Sequence, residues 1–202
     1  MTNYHDLRQQ LLQLRAAQES RDTRRGALLM RGRLFTWLNQ YRQHRPQPQQ
    51  PLHIAAYWAL AHEPDLGPLL VQWAEEENIR VSLPCVVSPD APLVFKPWHP
   101  DQPMKKAAFG VLEPDTTELA PDPEIILVPT LGFTRQGDRL GYGKGYYDRT
   151  LADLTARQQT FTTIGLSWAV GDLSQKSYVA AAHDVPLDAV LTDKGWPKPA
   201  PL

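Results

Sequence analysis

Between Pro51 and Thr192, short apolar runs alternate with amphipathic stretches, and few architectures accommodate that order. HIAAYWAL at 53–60 reads as a buried strand, and Leu66, Leu69, Leu70 and Trp73 at helical spacing place a helix over 65–77. Further strands are expected at 79–83, 92–98 and 125–128, the last ending at Pro129. Tyr147, Leu151 and Leu154 start another helix near Gly145 that fades by Gln158, ahead of strands at 162–168 and 189–192. Strands joined through helices pair in parallel, because a parallel crossover needs a helix-length connection. The expected fold is α/β, a three-layer α/β/α domain with a mostly parallel sheet.

The N-terminal segment adds two helices. Leu7, Leu11 and Leu14 repeat at helical spacing over 5–18, leaving Arg8 and Arg15 for other faces. Ser20 can cap a second helix whose stripe is Ala27, Met30, Leu34, Leu38 and Tyr41, with Asp22 in its first turn. Residues 1–45 hold nine Arg and no Lys against three acids, while the remainder holds twelve cations against nineteen acids. Such an arm is either a solvated helical face or a source of a few anion-binding arginines. A pI near 6.6 and the acidic body argue against nucleic acid as a partner.

At 202 residues the chain suits a single domain over 1–202, with basic helices at 1–45 and a mobile tail at 197–202. The single Cys85 excludes an internal disulfide and reads as a buried thiol, and no Cys/His cluster suggests zinc. His53, His62, His99 and His183 show no metal or triad spacing. The N-terminus has no signal-peptide core and no twenty-residue apolar span occurs, so a soluble cytoplasmic protein without a membrane partner is expected.

The stretch 131–148, LGFTRQGDRLGYGKGYYD, carries five glycines with Arg135, Arg139 and Lys144 among aromatic residues. Glycine lets backbone N–H groups approach a polyanion, and the cations neutralise phosphate oxygens. The stretch follows a strand directly, and open parallel sheets bind ligands outside the carboxyl ends of their strands. It is no Walker A loop: Asp138 stands five residues before Gly143, and Lys144 is followed by Gly145. Nor is it a dinucleotide fingerprint, because Gly141, Gly143 and Gly145 alternate without the final two-residue gap. Generic motifs stop at a nucleotide or phosphate ligand.

The specific string VPTLGFTRQGDRLGYGKGYYDRTL closely resembles the signature of the 5-formyltetrahydrofolate cyclo-ligase family, or methenyltetrahydrofolate synthetases. Gly132, Phe133, Gly137, the run Arg139-Leu140-Gly141, and Gly143 through Asp148 fit it. Leu7-Arg8, Tyr57 with Glu63-Pro64-Asp65, FGVLEP at 109–114 and HDVPLDAVLTD at 183–193 match further family elements in the family's order. The chain departs from the pattern at Tyr4, Thr130 and Thr134, where some members carry Lys, Gly and Asp.

The resemblance implies a fold similar to sugar-phosphate isomerases and CoA transferases. It also implies ATP- and Mg2+-dependent cyclisation of 5-formyltetrahydrofolate, with or without a polyglutamate tail, to 5,10-methenyltetrahydrofolate, giving ADP and phosphate. A monomer is expected. Lys144 and Arg139 would act on the transferred phosphoryl group, and Arg8, Arg139, Gly141, Tyr142, Gly143, Lys144, Gly145, Tyr146 and Tyr147 would hold the nucleotide. Tyr57, Glu63, Phe109 and Tyr147 would take the folate, with Glu63 accepting pterin N–H bonds. Asp148 and Asp188 would ligate Mg2+. Without the resemblance, Asp148 reads equally as a helix-dipole carboxylate, Tyr57 as core and Asp188 as a turn residue. Two rivals share the loop: a catalytically silent nucleotide- or RNA-binding relative, and a sugar-phosphate isomerase-like enzyme needing a base or nucleophilic Glu but no ATP.

Overall fold

A computed structural model describes residues 3–202. Asn3 caps helix α1 (Tyr4–Ala16) by accepting from the Asp6 N–H at 3.2 Å. Helix α2 (Ser20–His44) follows, and here the expected cap is displaced: Glu19 is the N-cap and makes no side-chain bond, while Ser20 is already helical. Then come β1 (Leu52–Ala55), α3 (Gly67–Ala74), β2 (Ile79–Cys85) and β3 (Val94–Trp98). The hairpin β4 (Met104–Lys106) and β5 (Leu112–Pro114) leads to β6 (Ile125–Pro129). A second small hairpin, β7 (Gly132–Phe133) and β8 (Arg139–Leu140), precedes α4 (Tyr146–Ala156). The chain closes with β9 (Thr162–Leu166), β10 (Ala189–Thr192) and β11 (Gly195–Lys198).

Seven strands form one sheet in the order β11-β10-β9-β6-β1-β2-β3. The five central strands run parallel, and β11 and β3 add antiparallel edges. Successive strand residues point to opposite faces. Ile54, Leu127, Ile164 and Leu191 thus meet α2 and α3 through Met30, Leu34, Leu70 and Trp73. Ala55, Ile126, Val128 and Val190 meet Leu151 and Leu154 of α4 on the other side. Both faces are covered, which is why these strands read as continuous apolar runs. The result is the expected α/β/α arrangement with a mostly parallel sheet.

From β1 the chain moves outward to β2 and β3, then returns to place β6, β9 and β10 on the other side of β1. The strand order therefore reverses between β1 and β6, and a crevice opens beyond their carboxyl ends. This explains why β1 stops at Ala55 instead of filling 53–60: the chain must turn at Ala56 to border the crevice. Hairpins β4–β5 and β7–β8 were not legible as strands, being two or three residues long and partly polar. Residues 195–198 pair with β10, and the Trp37 indole donates to the Pro201 carbonyl at 3.1 Å. Among the described residues no helix is long and apolar enough to cross a membrane.

Candidate active site

The floor of the crevice is the end of β6. There the Pro129 carbonyl accepts from Nε and Nη2 of Arg139 at 3.1 and 2.9 Å. Arg139 can fold back this way because β8 pairs with β7 directly after β6, with Phe133 buried as the anchor. The Tyr147 ring lies 5.3 Å from its guanidinium. Burial lowers the pKa of Arg139, and the nearby Asp148, Tyr147, Tyr142 and Asp184 oppose that shift. The side chain occupies space that a β-carbon at Gly141 would enter, 2.7–3.0 Å from the guanidinium.

Arg8 reaches the same loop from α1, its Nε donating to the Gly141 carbonyl at 2.9 Å. Gly143 has φ +97°, and a β-carbon there would sit 3.2 Å from the Arg8 guanidinium carbon. Helix α1 is held in place by Leu7 and Leu11 packing on Leu131, Leu140 and Leu173. Lys144 extends its ammonium to 5.5 Å from the Phe109 ring, and the Lys144 carbonyl accepts from Arg149 Nη2 at 2.8 Å. Asp148, in the first turn of α4, accepts from the Val185 N–H at 3.2 Å.

The opposite wall follows β1. Glu63 is 9% exposed; its Oε1 accepts from the Leu60 N–H at 2.8 Å and its Oε2 from the Tyr142 hydroxyl at 3.0 Å. Burial pushes the Glu63 carboxyl up from its ordinary pKa, while the Leu60 bond, Arg15 and Tyr142 pull it back. The hydroxyls of Tyr57 and Tyr147 are buried without a hydrogen-bond partner among the described residues. Such a group costs about 1–3 kcal/mol and is rarely left unmatched. Both tyrosines line the crevice, presenting aromatic surface to it while their hydroxyl oxygens stay buried. Phe109, between β4 and β5, is 71% exposed and adopts φ 60°, a left-handed conformation that bulky residues seldom take.

These walls enclose a cavity of about 540 Å³. Every residue expected at the site lines it except Asp188. That carboxylate lies at the amino end of β10, opposite the carboxyl strand ends that border the crevice, where its Oδ2 accepts from the Thr163 N–H and hydroxyl at 2.8 and 3.1 Å. Its neighbourhood is a strand-to-strand clasp, and the structure does not bring Asp188 together with the other expected site residues. Asp184 lines the cavity instead, with His183 3.5 Å away. Among the described residues no three Asp, Glu, His or Cys side chains are grouped to hold a metal. A pair such as Asp148 and Asp184 suits Mg2+ held jointly by carboxylate and phosphate oxygens rather than by a protein cage.

The three departures each have a partner. The Tyr4 hydroxyl donates to the Val179 carbonyl at 2.7 Å, the Thr130 hydroxyl to the Val128 carbonyl at 3.0 Å, and the Thr134 hydroxyl to Asp138 at 3.0 Å across the β7–β8 turn. Sequence reasoning missed Arg15. It was placed off the Leu7, Leu11 and Leu14 face, as a solvated or an anion-binding arginine, yet it is 3% exposed while Leu14 is 44% exposed. Positions 7, 11 and 15 share a helix face as well as 7, 11 and 14 do. The spacing held the signal, but apolarity favoured the leucine.

A sequence profile of the 5-formyltetrahydrofolate cyclo-ligase family matches residues 1–193. The 5-formyltetrahydrofolate cyclo-ligase of Haemophilus influenzae is 31% identical over 153 residues, covering 72% of this chain and 78% of that protein. That of Mycolicibacterium smegmatis is 32% identical over 149 residues, covering 70% and 73%. The NMR structure of Aquifex aeolicus 5,10-methenyltetrahydrofolate synthetase superposes with a TM-score of 0.74 at 25% identity, covering 96% of this chain and 92% of that one. The Mycoplasma pneumoniae 5,10-methenyltetrahydrofolate synthetase gives 0.68 at 25% identity, covering 95% and 99%.

Proposed function

The chain belongs to the 5-formyltetrahydrofolate cyclo-ligase family and is a ligase, and from that membership we propose that it converts 5-formyltetrahydrofolate to 5,10-methenyltetrahydrofolate with ATP and Mg2+. One observation carries this reading. A single cavity at the strand-order reversal combines a cationic glycine loop with the Glu63 carboxylate and the aromatic side chains of Tyr57, Phe109 and Tyr147. The first half suits a polyphosphate, and the second a flat ring with N–H groups on its edge.

The formyl oxygen is a poor leaving group, and ATP would supply the phosphoryl group that turns it into a good one. The chain's contribution is alignment and charge neutralisation. Arg139, fixed by the Pro129 carbonyl and Tyr147, and Lys144, extended toward Phe109, would meet the developing charge on the transferred phosphoryl group. Arg8 and the amides of the glycine loop would hold the remaining phosphates. Asp148 would share Mg2+ with the phosphate oxygens, a cation that draws charge from the leaving diphosphate. Glu63 would accept pterin N–H bonds, with Tyr57, Phe109 and Tyr147 walling the ring. Folding the folate into this enclosure brings N10 near the formyl carbon while excluding water from it.

Mixing the protein with 5-formyltetrahydrofolate, ATP and Mg2+ should raise the near-ultraviolet absorbance of 5,10-methenyltetrahydrofolate, and omission of ATP should abolish the rise. Folded protein that binds Mg·ATP but yields no product would be the silent relative. Failure to bind nucleotide would return the isomerase-like reading.

A further inference from the structure

Arg15 does not line the cavity, yet its guanidinium is buried beside it. Nη2 donates to the Thr130 carbonyl at 2.8 Å and Nη1 to the Tyr142 hydroxyl at 2.8 Å. An arginine can only donate, so the single phenolic proton of Tyr142 is free for Glu63 Oε2, 3.0 Å away. The direction of the chain is therefore fixed: Arg15 to Tyr142 to Glu63. A leucine at position 15 would continue the face begun by Leu7 and Leu11, whereas a buried cation costs several kcal/mol unless a charge balances it. Glu63 is the carboxylate that does so, one hydroxyl away.

The link joins three separate segments, α1, the glycine loop and the turn after β1. It also leaves Glu63 able to bind. A carboxylate has about four acceptor positions, and the Leu60 and Tyr142 bonds use one on each oxygen. We propose that Arg15 is a positioning residue which, through the Tyr142 hydroxyl, fixes the orientation and charge of Glu63 for recognition of the pterin edge without touching substrate. This rests on the reading of Glu63 as a substrate-binding carboxylate.

A charge relay leaves a trace in pH dependence that plain packing does not. Glu63 is faced by Arg15 from α1, Tyr142 from the glycine loop, Arg139 from β8, Tyr57 after β1 and Tyr147 from α4. Of these Arg15 and Arg139 favour the carboxylate by charge, and Tyr142 does so by donating a hydrogen bond. Removing Arg15 or the Tyr142 hydroxyl makes Glu63 easier to protonate. Activity that needs the carboxylate should then be lost at a higher pH as acidity increases.

The test compares wild type with Arg15→Met, Tyr142→Phe, the double variant and Glu63→Gln, reading kcat, both KM values and the pH profile of kcat/KM for the folate. Each single relay variant should raise the folate KM roughly tenfold to a hundredfold, and Arg15→Met should leave the ATP KM within about twofold. Each should also move the acidic limb upward. The double variant should be no worse than the worse single one, because both cut the same chain. A wild-type folate KM and acidic limb in Tyr142→Phe, which keeps the aromatic volume if Arg15→Met fails to fold, would overturn the relay. So would a lowered Tm with no movement of the limb. Glu63→Gln separates the two ideas: a normal folate KM there removes the Glu63 reading, whereas a defective Glu63→Gln beside a normal Tyr142→Phe removes only the relay.

Discussion

Lys144 and Asp148 stand four residues apart across the start of α4, one at the end of the glycine loop and one in the first helical turn. Truncating either should lower kcat on the order of a hundredfold or more, with an unchanged far-ultraviolet circular dichroism spectrum. On the proposed reading Lys144→Ala removes the cation that would face the transferred phosphoryl group, and Asp148→Ala should in addition raise the Mg2+ concentration needed for half-maximal rate. Gly143 makes a different demand. At φ +97°, alanine is strained by about 1–2 kcal/mol, and its β-carbon would press on Arg8. Gly143→Ala should therefore lower Tm and weaken ATP binding together, as thermal melts with and without Mg·ATP would show.

At the scale of elements, α1 works as a clamp whose grip comes from two leucines. Leu11 is fully buried against the β7–β8 hairpin, its Cδ1 in the space beside Gly132. Leu11→Ala should cost about 2–5 kcal/mol in denaturant unfolding if α1 unfolds with the body. A smaller loss would show that α1 detaches independently, and the ATP KM should rise either way because Arg8 rides on this helix. The β4–β5 hairpin carries Phe109 in a conformation that glycine tolerates better. Phe109→Gly should leave stability within about 0.5 kcal/mol while raising the folate KM, which would locate the value of this residue in the ring wall.

For the whole molecule, burial sets a limit at alkaline pH. The Cys85 thiol, 3% exposed on β2, has its pKa pushed from 9.0 up to about 11 by desolvation first and then by Glu113. The folded state favours the neutral thiol, so its stabilising contribution is fully present below pH 9 and is lost as pH rises through about 11. The buried Tyr57 and Tyr147 hydroxyls, also raised, act in the same direction. Iodoacetamide at pH 8 should leave Cys85 unmodified in the native protein and alkylate it once urea unfolds the chain, as intact mass would report. The sequence by itself determined the layered parallel fold, because continuous apolar strands such as 125–128 and the stripe of α2 state their period and burial locally. It also marked the glycine loop and the cations and aromatics around it, since those residue types are tied to their chemistry at fixed spacing. Only the tertiary structure decided which of these meet. Asp188 matches the family motif but sits at the amino end of its strand, because where a carboxylate lies depends on which strand end it joins. Arg15 reads as a surface arginine, since helix periodicity cannot tell position 14 from 15. It comes to lie beside the site because the Tyr142 hydroxyl, 127 residues away, accepts from its guanidinium and donates in turn to Glu63.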